Sequence, residues 1–167
     1  MSDSRVSDFF YPGNAVHGEP DYGLAENFMR TAEAFANTTY QSVYIIYYFR
    51  KNFLYVSPNP LFHCGTSADS VKSEGYQFYI DHVPADEVDM LLEINKAGSS
   101  FIHDVPLEEK SKYTISYDFH FVNGREKILI NHKLTTLVCQ SDVAVWLGLS
   151  VVSLSSYSEA GHITIVY

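Results

Sequence analysis

Apolar positions along this chain change their spacing several times, and each change predicts a new element. Leu24, Phe28, Ala32 and Phe35 recur at helical intervals, so a helix is expected over 21–38, with Asp21 able to cap its start. From Gln41 the pattern becomes that of a strand. Val43 to Phe49 is almost unbroken apolar or aromatic residues, which predicts a strand covered on both faces. Arg50-Lys51-Asn52 makes a polar turn, Phe53 to Val56 a second strand, and Ser57-Pro58-Asn59-Pro60 ends it; the pair is a hairpin. Between Leu61 and Lys112 the spacing is helical but broken. Ser67 can cap a short turn that ends near Gly75, and Tyr76 to Ile80 follows. Pro84 then introduces a longer helix with Val88, Leu91, Leu92 and Asn95 on one side, and Gly98 is its expected stop. A short turn around Leu107 to Lys110 follows Pro106.

The last third reads as a meander. Tyr113 to Val122 and Arg125 to Leu134 flank Asn123-Gly124, a two-residue hairpin signal. Pairing across it places Tyr113, Ile115, Tyr117, Phe119 and Phe121 on one face with Ile128, Ile130, His132 and Leu134. Thr114, Ser116, Asp118, His120, Asn131 and Lys133 fall on the wet face. Ala144 to Leu154 carries Val145, Leu147, Leu149 and Val151 on one side and Trp146, Val152 and Leu154 on the other, so it too is an interior strand. Something must cover the outer face of the two interior strands, and the 21–38 helix is the amphipathic element available. Residues 1–20, with Pro12, Gly13, Gly18 and Pro20, are expected to be an irregular lead-in.

At 167 residues the chain is one domain by length. Its net charge of −9 and the lack of a basic stripe argue against a direct grip on nucleic acid. Two cysteines, Cys64 and Cys139, cannot make a disulfide framework, and no apolar run approaches the ~20 residues of a membrane span. A cytoplasmic protein without membrane partners is expected.

Three motifs, taken with the element order, carry a family resemblance. Phe53-Leu54-Tyr55-Val56-Ser57-Pro58-Asn59 resembles the second strand and exit of a PAS domain. His82-Val83-Pro84-Ala85-Asp86 resembles the segment that introduces the long PAS helix, and Trp146 to Val152 is similar to the last, central strand. More narrowly, Tyr40 to Ser57, Tyr113 to His120 and Val151 to Ser156 resemble the N-terminal sensor region of Bacteroidetes LuxR-type transcriptional regulators. The resemblance implies an α+β fold: a five-stranded antiparallel sheet with short helices and one longer helix on one face, and the N-terminal helix on the other. It divides the chain into the lead-in, the capping helix over 21–38, a sensor domain over 41–155 and an exit segment over 156–167. It implies a signal-sensing domain that binds a small molecule or mediates dimerisation, and so controls a C-terminal DNA-binding domain absent from this chain. Ligand-free docking is the alternative, and a small α+β enzyme a more distant one.

The candidate chemistry is sparse. His17, His63, His82, His103, His120, His132 and His162 show no metal-ligand spacing, and His120 and His132 fall on opposite faces of their hairpin, so no metal is expected. Cys64 follows His63 without a base or an electropositive setting. The flavin-type cysteine motif of PAS relatives is missing, as is a haem-type histidine on the long helix, so neither cofactor is expected. Asp86, Glu87, Asp89 and Glu93 read as a solvated acidic face, and no catalytic residues are assigned. The aromatic set is the best candidate, because rings with polar tips suit small-molecule pockets. Tyr44, Tyr55, Phe62, Leu91, Tyr113, Tyr117, His132 and Trp146 are the pocket candidates. Leu24, Phe28 and Phe35 are candidates for capping or for a homodimer contact.

Overall fold

The computed structural model describes residues 4–10, 22–141 and 144–167, with the backbone alone for 22, 138–141 and 144–146. Asp21 and most of the lead-in therefore lie outside the described residues. Within the lead-in, Ser4–Asp8 is a short helix, α1, and Phe9 and Phe10 after it are buried, which an irregular segment does not anticipate. Next come helix α2 (Tyr22–Thr39) and the hairpin β1 (Ser42–Tyr47) and β2 (Asn52–Val56).

A 3₁₀ turn at Pro60–Phe62 is capped by the Asn59 side chain, which accepts from Leu61 N. Helix α3 (Ala68–Glu74) begins at Ser67, whose hydroxyl accepts from Ser70 N at 3.1 Å, satisfying a backbone donor that the helix leaves open. Helix α4 (Gln77–His82) and the long α5 (Ala85–Asp104) follow. α5 does not stop at Gly98. It ends just before Pro106, and Gly98 serves instead as a point of close approach to the sheet. A 3₁₀ stretch, Leu107–Lys112, leads into β3 (Thr114–Asn123), β4 (Glu126–Ser141), β5 (Ala144–Leu154) and β6 (Gly161–Val166).

All pairings are antiparallel and the sheet runs β2-β1-β5-β4-β3-β6. It has six strands rather than five, because the exit segment folds back along β3. β1 and β5 lie inside the sheet, as their unbroken apolar runs require. The β3–β4 turn closes on Asn123↔Glu126, so Gly124 and Arg125 are its central residues, one position later than expected. Gly124 at φ 60 in the first central position suits a type II′ turn, and the shift leaves the side-chain parity unchanged.

The two faces differ in what covers them. On one, Tyr44, Ile46, Phe53, Ile115, Tyr117, Phe119 and Ile130 form a single core with Phe9, Phe10, Phe62, Phe78, Tyr79, Val88 and Leu91. On the other, α2 lays Ala25, Ala32 and Ala36 on Val43, Ile45, Tyr47 and Leu147, with Phe28 packed at the side. That contact stripe corrects the expected one. Small alanines let the helix backbone approach the sheet, so the stripe rotates toward them and leaves Leu24 39% and Phe35 44% exposed.

Candidate functional site

Between α5 and the sheet lies a partly open cleft with a cavity of about 50 Å³. α5 supplies Ile94, Asn95, Gly98, Ser99 and Ile102; the sheet side supplies Ile115, Tyr117, Leu134 and Thr136; Phe10, Tyr48 and Tyr113 complete the walls. Two features hold α5 in place over it. A Cβ on Gly98 would stand 2.8 Å from Ile115 Cδ1, so the glycine sets how near helix and β3 approach. Near the helix start, Glu87 accepts from the His120 backbone N–H at 2.6 Å and pairs with His120 Nδ1 at 2.7 Å. Glu87 is 8% exposed, so it is an anchor to β3 and not part of a solvated acidic face.

The cleft floor is polar. Tyr117 Oη donates to Asn95 Oδ1 at 3.1 Å, and Asn95 Nδ2 donates to the Phe9 carbonyl at 2.7 Å. Beneath it, the Tyr44 hydroxyl is hydrogen-bonded to both the Tyr79 hydroxyl and His132 Nε2. The His132 ring lies 4.8 Å from that of Tyr117, which joins the two networks. Burial pushes the Tyr44, Tyr76, Tyr79 and Tyr117 phenols well above their ordinary range, so they act as neutral hydrogen-bonding groups. Burial also pulls His132 down to about 3. Its Nδ1, like the Tyr76 hydroxyl, is buried without a hydrogen-bond partner among the described residues.

The pocket candidates fall in several places. Tyr113 and Tyr117 line the cleft. Tyr44, Phe62, Leu91 and His132 belong to the packed core behind it, where Phe62 stacks on Tyr44 at 4.1 Å. Tyr55 lies on the opposite face, beside α2, because its register partner is Ile45. The Trp146 side chain is outside the described residues. Asn95, Ser99, Tyr48, Thr136 and Phe10 line the cleft without having been singled out as pocket residues. Asn95 was legible only as a polar residue on the apolar side of a helix, and Phe10 offered no periodic signal. Cys64 is buried, and its thiol is pushed up to about 12 by burial and, secondarily, by the Glu74 charge, which keeps it from nucleophilic work. Among the described residues no three His, Cys, Asp or Glu side chains group as a metal site. No helix among them is long and apolar enough to cross a membrane.

Comparison with known proteins places the fold. The N-terminal domain of a diguanylate cyclase with a PAS/PAC sensor from Marinobacter aquaeolei superposes with a TM-score of 0.51 over 68% of this chain and 94% of its own, at 9% identity. The PAS domain of BvgS from Bordetella pertussis gives 0.47 over 78% and 88%, at 10% identity. The phage VqmA–DPO complex gives 0.47 over 80% and 56%, at 13% identity. No protein-family model matches the chain, and no curated protein does. The chain has a PAS-like α+β fold, extended at the β3 edge by a sixth strand.

Proposed function

We propose that this chain is a sensor module in which a small molecule enters the cleft between α5 and β3–β4. One observation carries the reading: a partly open cleft lined by apolar side chains converges on a few polar groups, Ser99 and the hydrogen-bonded pair Asn95 and Tyr117. That combination is the usual make-up of small-molecule sites. In the regulator resembled by the sequence, such a domain would bias a C-terminal DNA-binding domain by population shift, limited by the ligand's differential affinity for two states. The reading uses neither haem nor flavin and assigns no catalysis. Thermal unfolding across a metabolite library tests it. A ligand at a hundred times its Kd adds about 2.7 kcal/mol, which should raise the Tm by about 5–10 °C in a chain of this size. Failure of every compound to move the Tm sinks the reading.

A homodimer contact is the second reading, favoured by the exposure of Phe35 on α2 and of Ile163 and Val166 on β6. Sedimentation of the wild type against Phe35→Ser tests it, and a chain that stays monomeric at high concentration excludes it.

A further inference from the structure

Phe9 and Phe10 are 1% and 3% exposed, yet the helix that carries them into the core, α1, is five residues long and buries none of its own. So short a helix has little stability of its own. Val6 of α1 packs against the core only in part, and the deepest hold on the segment comes from the two rings and a hydrogen bond. Phe9 stacks on Tyr79 at 4.3 Å, and its carbonyl accepts from Asn95 Nδ2. Phe10 meets Tyr76 and Tyr79 edge-on at 5.0 and 5.2 Å, lies 6.5 Å from the His132 ring and forms part of the cleft wall.

The fit is good in shape and poor in chemistry. Among the rings that surround Phe10, Tyr76 and His132 each carry a buried polar atom without a hydrogen-bond partner among the described residues, the Tyr76 hydroxyl and His132 Nδ1. A hydrocarbon ring offers them nothing, and an unmet buried polar group is costly. Size points the same way. The cleft, at about 50 Å³, is far below the ~300 Å³ at which small-molecule pockets begin. Withdrawing two phenyl rings would add two spaces of about 150 Å³ each, the size that holds one benzene.

We propose that the Phe9–Phe10 slot is the ligand site and that the chain's own N-terminal segment fills it as a displaceable plug. The ligand class is a planar two-ring aromatic with a carbonyl to accept from Asn95 and a hydroxyl or amide to pair with Tyr76 or His132. The proposal rests on the sensor reading and deepens it. Ligand and plug compete for one space, so the apparent affinity is reduced by the fraction of molecules with the plug withdrawn.

The test uses the full chain with 4-hydroxybenzanilide as probe and biphenyl as the ring-only control. Titration calorimetry should show Phe10→Ala binding the probe at least ~tenfold more tightly than wild type, and biphenyl more weakly than the probe. Hydrogen exchange on the wild type, which needs no variant to fold, should show the amides of residues 4–10 losing protection when the probe binds. Equal affinity in the variant and the wild type, or protection that persists with probe bound, overturns the plug. A metabolite that raises the wild-type Tm while residues 4–10 stay protected also overturns the plug but leaves the sensor reading standing. Displacement by the probe with no metabolite shifting the Tm supports the slot and removes the sensor reading instead.

Discussion

His132 shows how one residue ties the core to pH. Its imidazole is fully buried, bonded through Nε2 to the Tyr44 hydroxyl, and held neutral by desolvation with a pKa near 3 instead of 6.5. In the unfolded chain the same ring takes a proton below about 6.5, so between 6.5 and 3 the unfolded state binds more protons and gains from them. His132 therefore contributes fully to stability above about pH 6.5, and that contribution drains away as pH falls toward 3. At about 1.4 kcal/mol per pKa unit the effect totals about 3–5 kcal/mol. Urea midpoints should fall across this window, and His132→Leu should flatten the fall relative to wild type; parallel curves for the two would refute the assignment. The position of His132 on the apolar face followed from hairpin parity alone, because side chains alternate regardless of the turn's details. Phe9 and Phe10 gave no such clue. Two adjacent apolar residues among polar ones have no period, and only the tertiary slot explains their burial.

Two glycines separate what an element's sequence can say from what its surroundings decide. Gly75 closes α3 at φ 60 and ψ −136, and a Cβ there would stand 3.1 Å from the Lys51 carbonyl oxygen. The backbone angle strains any side chain there and the contact crowds it, so Gly75→Ala should cost about 1–3 kcal/mol. Gly98 has ordinary helical geometry and one close neighbour, the movable tip of Ile115. There Gly98→Ala should gain up to about 1 kcal/mol of helix propensity, offset by the shift of Ile115, and narrow the cleft. Chemical denaturation of both variants, with ligand titration on the second, checks the contrast: one loses stability, the other keeps stability and loses affinity. The sequence pattern treated both glycines as stops. Only Gly75 is one, since a glycine inside a helix looks the same whether it ends the helix or admits a neighbouring strand. The same blindness affects α2, where alanines at 25, 32 and 36 outrank the larger Leu24 and Phe35 because the sheet must come close.

At the scale of the whole molecule, the order of the sheet was legible from β1 and β5, whose unbroken apolar runs place them inside it. β6 was not, because an edge strand with mostly exposed side chains needs no strong pattern. Its pairing matters for how a cleft event could leave the domain. Tyr113 lines the cleft, meets Phe101 of α5 at 5.2 Å and meets Tyr167, the residue after β6, at 4.9 Å. Lys112 Nζ also donates to the Tyr167 hydroxyl at 3.3 Å. A ligand that spreads α5 from β3 must displace Tyr113 relative to one of these rings. Hydrogen exchange decides whether the displacement is transmitted: ligand binding should alter protection across Gly161–Val166. Tyr167→Ala, outside the cleft, should leave the ligand Kd within about twofold and abolish that change, since it removes the contact but not the site. A β6 whose protection is indifferent to ligand in the wild type would mean that the cleft and the exit strand share a neighbour and nothing more.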